Sequence, residues 1–482
     1  MEFVYKQYIN EKWTEAESGR NWEVINPATG DIITSVPFGN SIDVRRAIDA
    51  AENVRFDWAT KTPYERSVFL TRAARLVEKY LDLLALITTK ECGKPLDQSK
   101  AEWILCAQLL DWFAEEGKRA YGRVIPSRQK GKRISVIMQP IGVIGTITAW
   151  NFPAYLPCRA WAAALSAGCT VVGRPSEITP MSAMALANIL SLSGIPHGVF
   201  NLVNGEPSEM AEEMLNNPLC RKISFTGSTN VAKTIMRGAA ETITKISLEL
   251  GGSAPVIIFP DIDINKAARE AVIFKFRNCG QVCISPTRFF VHTDIERTFL
   301  EAVTEETRKL TVGNGAEPGI DVGPLINEKQ LEYVEELVED AIKKNAKLMI
   351  GGSRLTEGLF SRGYFFQPTV LGNLNQSMRV MQEEVFGPIL PVFKFKDMDE
   401  VIKIANNTEY GLASHIWTND LNTAIKVSER LEFGMVGINN MLASAVEGPF
   451  GGIKQSGIGR ESGQEGLSNY LETKLITVSG EF

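Results

Sequence analysis

An α/β fold built from two successive strand–helix blocks is predicted by three features of the sequence. From residue 141 onward, short apolar runs alternate with helical segments. A second alternating stretch begins near Pro255 and runs to about Asn440. Gly251-Gly252 separates the two as a hinge. Such alternation marks a parallel sheet covered by helices on both faces. Ligands of these sheets bind beyond the carboxyl ends of the strands.

The elements follow in chain order. The first 40 residues read as short strands and turns, with Asn26-Pro27-Ala28-Thr29-Gly30 a strong turn. A helix begins near Ser41, where Val44, Ala47, Ile48, Ala51 and Val54 share one face. A second helix has Thr62 as N-cap, Pro63 at its first position and Glu65 at its third. It is expected to run to Gly93, with Pro95 just beyond. In the first block, residues 141–148, 170–172, 199–203, 223–225 and 245–248 read as buried strands. Between them, 156–167, 181–192 and 231–240 read as helices. The basic run RQKGKR (128–133) reads as a solvated hairpin tip. The tail, 470–478, reads as a strand that pairs with another element or subunit.

Composition excludes several classes. The chain has 482 residues, enough for about two to four domains. Its 51 Lys and Arg against 57 Asp and Glu give a net charge of −6. Nothing in that balance pulls the chain toward nucleic acid or an anionic membrane. The seven Cys are odd in number and scattered, so no disulfide framework is expected and a reducing compartment fits. No Cys-x-x-Cys pair occurs and the three His do not cluster, so no metal site is expected. The start lacks a basic segment followed by an apolar run, and the longest weakly polar stretch, 160–173, is too short to span a bilayer. A soluble cytoplasmic protein is expected.

Four places carry candidate chemistry. Cys283 closes Asn278-Cys279-Gly280-Gln281-Val282-Cys283, a small polar setting suited to a turn into a site. Taken alone, a Cys is more often a small buried hydrophobe than a nucleophile. Glu249 ends an apolar run and precedes two glycines; it is a solvated strand terminus or a general base. Phe225-Thr226-Gly227-Ser228-Thr229 closes a strand and opens a helix without the Gly-x-Gly-x-x-Gly fingerprint; it is a plain strand–helix turn, or a pyrophosphate site built from backbone N–H groups and hydroxyls. Trp150-Asn151-Phe152-Pro153 is a turn before proline, or places an amide for an oxyanion.

Together these pieces resemble the aldehyde dehydrogenase superfamily. TAWNFP, GRPSE, ISFTGS, LELGG, NCGQVC, EEVFGP and PFGGIKQSGIGRE occur in the right order across essentially the whole chain. The resemblance implies a Rossmann-like cofactor domain (1–121 and 139–250), an α/β catalytic domain (251–440) and a small β oligomerisation arm (122–138 and 465–482), with 441–464 returning to the cofactor domain. It implies Cys283 as nucleophile, Glu249 as the base that activates water, and Asn151 as oxyanion donor. It places Thr148, Trp150, Arg174, Ser176, Glu177, Thr226, Gly227, Ser228, Leu250, Gly251, Glu384 and Phe386 around NAD, with NADP as the alternative. It also implies a homodimer or homotetramer.

The pattern is most similar to succinate-semialdehyde dehydrogenases. Lys275-Phe276-Arg277-Asn278 and the segment from Phe433 to Ser444 carry that likeness. By this resemblance Arg159, Arg277 and Ser444 bind the substrate, the arginines gripping its distal carboxylate. Lactaldehyde, sulfo- or phospho-aldehyde and CoA-acylating enzymes are the alternatives, as is a binding or structural relative without turnover.

Several positions depart from the pattern. Arg174 stands where most relatives have Lys, and Ala160 stands where they also usually have Lys. The second change predicts that Glu461, in Gly459-Arg460-Glu461, lacks a cationic partner. Ala232 and Ala149 replace Gly and Pro at tolerant positions. Cys279 is read as a packed spectator, with a disulfide to Cys283 as the alternative.

Overall fold

The computed structural model describes residues 3–481. Two large sheets organise them. The eight-stranded sheet has five neighbouring parallel strands at its heart. In spatial order they are Lys245–Glu249, Cys220–Thr226, Val143–Ile147, Thr170–Arg174 and Phe200–Leu202. The N-terminal hairpin, Gln7–Ile9 with Lys12–Thr14, extends one edge; Gly457–Ile458 pairs antiparallel on the other. Every strand expected in the first block is present, within a few residues of its expected ends. The helices Tyr155–Ala167, Pro180–Leu192 and Thr229–Thr242 lie between them in sequence.

The seven-stranded sheet contains Ala254–Ile258, Pro286–His292, Ile389–Phe395, Thr369–Gly372, Ala413–Trp417 and Met435–Ile438, all parallel. Lys347–Ile350 joins antiparallel at its edge. One core cluster fills this half. Two clusters flank the first sheet, the larger containing Trp103, Trp161, Phe113 and Phe200.

The tail strand Leu471–Ser479 pairs along its length with Lys132–Pro140, which also pairs with Arg123–Ile125. Residues 128–131, in the expected hairpin tip, form the bend between those last two strands. Val124, Ile137, Leu475 and Val478 of this three-stranded sheet are exposed.

The capping box at Thr62 is present: Thr62 Oγ1 accepts from Glu65 N at 3.2 Å, and Glu65 Oε2 accepts from Thr62 N at 2.7 Å. The single helix expected from Thr62 to Gly93 is two, Pro63–Lys79 and Leu81–Cys92. The break falls at Tyr80, whose ring packs edge-on against Phe3, 6.3 Å between centroids. Buried positions keep helical spacing across the break, from Ala73, Ala74 and Val77 to Leu84 and Ala85, so periodicity alone does not reveal it. The second helix ends at Gly93 as expected. Gly93 has φ +81°, and a Cβ there would sit 2.6 Å from Pro324 Cγ.

Candidate active site

Three parallel strands end side by side, and their carboxyl ends bring the candidate residues together. Phe225 is opposite Ile147, and Thr226 is opposite Glu249. Beyond these ends lie Trp150 and Asn151, then Gly227 and Ser228, then Leu250 and Gly251. The other half contributes Cys283, from the turn before Pro286–His292, and Glu384 and Phe386. All these residues, with Thr226 and Glu249, line one cavity of about 700 Å³, within the usual range for small-molecule and cofactor sites.

Local geometry fixes several of them. Ser228 caps the helix Thr229–Thr242, its Oγ accepting from Val231 N at 3.4 Å. Glu384 Oε1 accepts from Gly252 N at 3.0 Å. A Cβ on Gly251 would lie 2.5 Å from Glu384 Oε2, so only glycine allows that approach. Phe386 meets Trp150 edge-on at 5.5 Å.

Cys283 is the one half-buried cysteine; the other six are buried, and all seven are free thiols. The Cys283 thiol and the Glu249 carboxylate face the same cavity, close enough for each to act on the ionisation of the other. Burial first, and the Glu249 charge second, push the thiol well above its ordinary value. Burial likewise pushes Glu249 up to about 7, against the opposing pull of Arg159. Glu249 Oε1 has no hydrogen-bond partner, which leaves a buried acceptor free. Glu384 is also raised to about 7 by burial.

Asn151 is 4% exposed, and its Nδ2 donates to Gln281 O at 3.1 Å. Its own carbonyl accepts from Asn278 Nδ2 at 3.0 Å and from Lys94 Nζ at 2.8 Å. Lys94 in turn pairs with Glu102, and Glu102 Oε1 accepts from Ala154 N and Tyr155 N, where the helix Tyr155–Ala167 begins. This buried pair ties the Asn151 loop to that helix. Lys94→Met would leave Glu102 buried without its cation. It is expected to cost about 3–5 kcal/mol in denaturant unfolding; a loss below about 1 kcal/mol would show that the pair does not hold the loop.

Other expected residues lie outside the cavity lining. Thr148 follows the strand Val143–Ile147 and its N–H donates to Arg174 O at 3.1 Å, while Arg174, Ser176 and Glu177 lie at the end of Thr170–Arg174, near the lining residue Ile178. Arg174 Nη2 pairs with Glu177 Oε2 at 2.6 Å and donates to Gly205 O at 2.8 Å. Arg277 lines a separate cavity of about 210 Å³ with Phe152 and Glu102, and its Nε has no partner. Leu105 borders that cavity and another of about 410 Å³ lined by Ala445 and Val446, just after Ser444. Arg159 lines none of them. It is buried, with Nε against Glu461 and Nη2 3.7 Å from Glu249 Oε2. Both contacts are ionic rather than aligned hydrogen bonds.

That pairing corrects the expectation for Glu461. The carboxylate does not lack a cation; Arg159, beside Ala160 on the same helix, is long enough to reach it. Cys279 is packed in the core of the second half, with φ +55°. The turn at 277–280 is not regular helix, so the four-residue spacing does not place Cys279 on a common helical face with Cys283.

The cavity also recruits Lys329, Gln330, Tyr333 and Tyr410. Gln330 Nε2 donates to Phe386 O at 2.9 Å and Tyr333 Oη to Glu384 O at 2.9 Å, which supports the Glu384–Phe386 loop. Their helix, Glu328–Lys343, has no local motif that marks it as facing a site.

Among the described residues, no group of three or more His, Cys, Asp or Glu is placed to hold a metal ion, and no helix is long and apolar enough to cross a membrane. The model of the aldehyde dehydrogenase family matches residues 13–476. A glutarate-semialdehyde dehydrogenase of Pseudomonas putida is 45% identical, covering 99% of this chain and 98% of its own. A succinate-semialdehyde dehydrogenase [NADP(+)] of Escherichia coli is 44% identical, with the same coverage. The crystal structure of a succinate-semialdehyde dehydrogenase from Burkholderia pseudomallei superposes with a TM-score of 0.97 at 43% identity, covering 99% of this chain and 98% of that one. With two strand–helix halves that bring a cysteine, a glutamate and an asparagine to one cavity, and likeness over almost its full length, this chain belongs to the aldehyde dehydrogenase family.

Proposed function

We propose that the chain oxidises an anionic semialdehyde of four or five carbons to the dicarboxylic acid. The observation that carries this reading is the Cys283–Glu249 pair facing one cavity, with Asn151 beside it. The Cys283 thiol releases its proton to solvent, and the thiolate attacks the aldehyde carbon. Asn151 Nδ2 and the Cys283 backbone N–H hold the oxyanion that forms. A bound nicotinamide dinucleotide supplies the hydride acceptor, so that the Cys283 adduct becomes a thioester. Glu249 then removes a proton from water, the water attacks the thioester carbonyl, and the thiolate leaves with the acid released. A carboxylate beside the thioester favours hydrolysis over transfer to coenzyme A.

The residues present fit a dinucleotide. Ser228 opens a 14-residue helix at the cavity wall, where N–H groups suit a pyrophosphate. Glu384 and Phe386 are assigned to the nicotinamide end and Ser176 and Glu177 to the adenosine end. The Arg174–Glu177 pair neutralises the Arg174 cation and sets a carboxylate beside it, which disfavours a 2′-phosphate, so NAD is the preferred cofactor. Glu177→Ser is expected to raise kcat/KM with NADP relative to NAD by about 10–100-fold. An unchanged ratio would remove Glu177 from this role.

Arg277, with an unpaired buried Nε, supports an anionic substrate. The division into cofactor, catalytic and arm segments belongs to the same reading. So does a homo-oligomer, whose interface would cover the exposed apolar residues of the arm. The test is cofactor reduction by the purified protein with succinic and glutaric semialdehydes against neutral propanal, with acid product measured in the absence of CoA. Fast reduction with the anionic aldehydes supports the reading. A strict CoA requirement, or no reduction with either, would contradict it.

A further inference from the structure

Arg288 lies on the strand Pro286–His292, on the face that also carries Phe290. It is 1% exposed. Its Nε donates to Ser253 O at 3.2 Å, and its Nη2 donates to Ser253 O at 2.9 Å and to Ala405 O at 3.0 Å. These acceptors are neutral carbonyls. The buried Arg159 and Arg174 pair with Glu461 and Glu177. Arg288 is different: burial pulls its guanidinium down to about 10, and no charged neighbour acts on it in either direction. It is therefore a cation at neutral pH without a counter-charge in the fold. A buried charge left in that state is costly.

Arg288 opens into a cavity of about 270 Å³, separate from the one lined by Cys283. Buried Phe290 and Met381 line its floor beside the guanidinium, and exposed Gln376, Gln382 and Asn407 line its rim. No Asp or Glu lines it. Gln382 Nε2 donates to Gln376 O at 2.8 Å, which braces the rim. Arg288 Nη1 and the side-chain amides of Gln376 and Asn407 make no hydrogen bond among the described residues.

We propose that this cavity is a second ligand site, which binds the phosphate group of a small ligand, either free phosphate or a phosphomonoester. Arg288 supplies the charge from the floor, and the Gln376 and Asn407 amides supply neutral donors at the rim. A tetrahedral oxyanion accepts from several directions at once, and its bonds to a guanidinium are charge-assisted. The lining has no carboxylate to repel it. The volume falls just below the usual range for whole small-molecule sites, which limits the ligand to a small one. Bound phosphate would give Arg288 the counter-charge that the chain withholds. This site does not depend on the roles given to Cys283 and Glu249.

The test is calorimetric titration of the full chain, in phosphate-free buffer, with inorganic phosphate and separately with glycerol 3-phosphate. One ligand per chain is expected, with a Kd of about 1 mM or tighter. Arg288→Met removes the cation, and Asn407→Trp fills the mouth from an exposed position while leaving the carbonyl bonds of Arg288 in place. Each should weaken binding by about tenfold or more. If Arg288→Met does not fold, Asn407→Trp decides alone. Tighter binding of glycerol 3-phosphate would name a phosphomonoester as the ligand, and tighter binding of phosphate would name the free ion; both support the site. No heat with either ligand, or affinity unchanged in Asn407→Trp, would overturn it. Crystals grown with selenate locate the anion by its anomalous signal. A peak within hydrogen-bond distance of Arg288 Nη1 is expected. A peak confined to the cavity of Cys283 would assign the heat to that cavity and overturn the proposal.

Discussion

Replacing Cys283 by Ser is expected to lower aldehyde oxidation by about 10⁴-fold or more. The thiol is where the substrate becomes covalently attached, and no other cysteine can stand in, because the remaining six are buried. A serine hydroxyl keeps the shape but not the nucleophile, since it ionises far less readily than a thiol. Cofactor binding should survive, because Ser228, Glu384 and Phe386 are untouched. The measurement is steady-state reduction of NAD with succinic semialdehyde, alongside cofactor affinity by fluorescence. Near-normal turnover in the variant would remove Cys283 from the reaction.

Glu249→Gln is expected to separate the two halves of the reaction. The amide no longer takes a proton from water, so steady-state turnover should fall by about 10²–10⁴-fold. Oxidation up to the thioester should still occur once per site, seen as a burst of reduced cofactor. In the wild type only the ionised carboxylate is a base. Burial has raised it to about 7, so the rate should increase as pH rises through that value and fall below it. In Glu249→Gln that limb should vanish from the residual steady-state rate. A variant that loses the burst along with turnover would mean that Glu249 acts mainly in forming the thiolate.

The strand ends were the most legible part of the sequence because glycines mark them. Gly227, Gly251 and Gly252 punctuate apolar runs, and the structure puts Thr226, Glu249, Asn151 and Cys283 around one cavity. The capping box at Thr62 was legible for the same local reason. The helix Leu96–Glu116 was not. Its buried residues, Trp103, Cys106, Ala107, Leu109, Leu110, Phe113 and Ala114, share one side, but Ala101, Ile104, Leu105 and Trp112 put further apolar side chains on the other and blur the period. Lys329, Gln330 and Tyr333 were illegible because only the packing of two distant segments brings their helix to the cavity. The partner of Glu461 was missed because one position, Ala160, was judged apart from Arg159 beside it. Side-chain reach within a buried pair is set by tertiary packing, which no local pattern encodes.

The central claim is that Cys283 carries the acyl group and Glu249 releases it. Its most direct test is a mass spectrum of the Glu249→Gln protein, quenched shortly after mixing with succinic semialdehyde and NAD. The account predicts one added acyl group, located on the peptide that contains Cys283 and absent when NAD is left out. An unmodified Cys283 peptide, formed while one equivalent of cofactor is reduced, would contradict it.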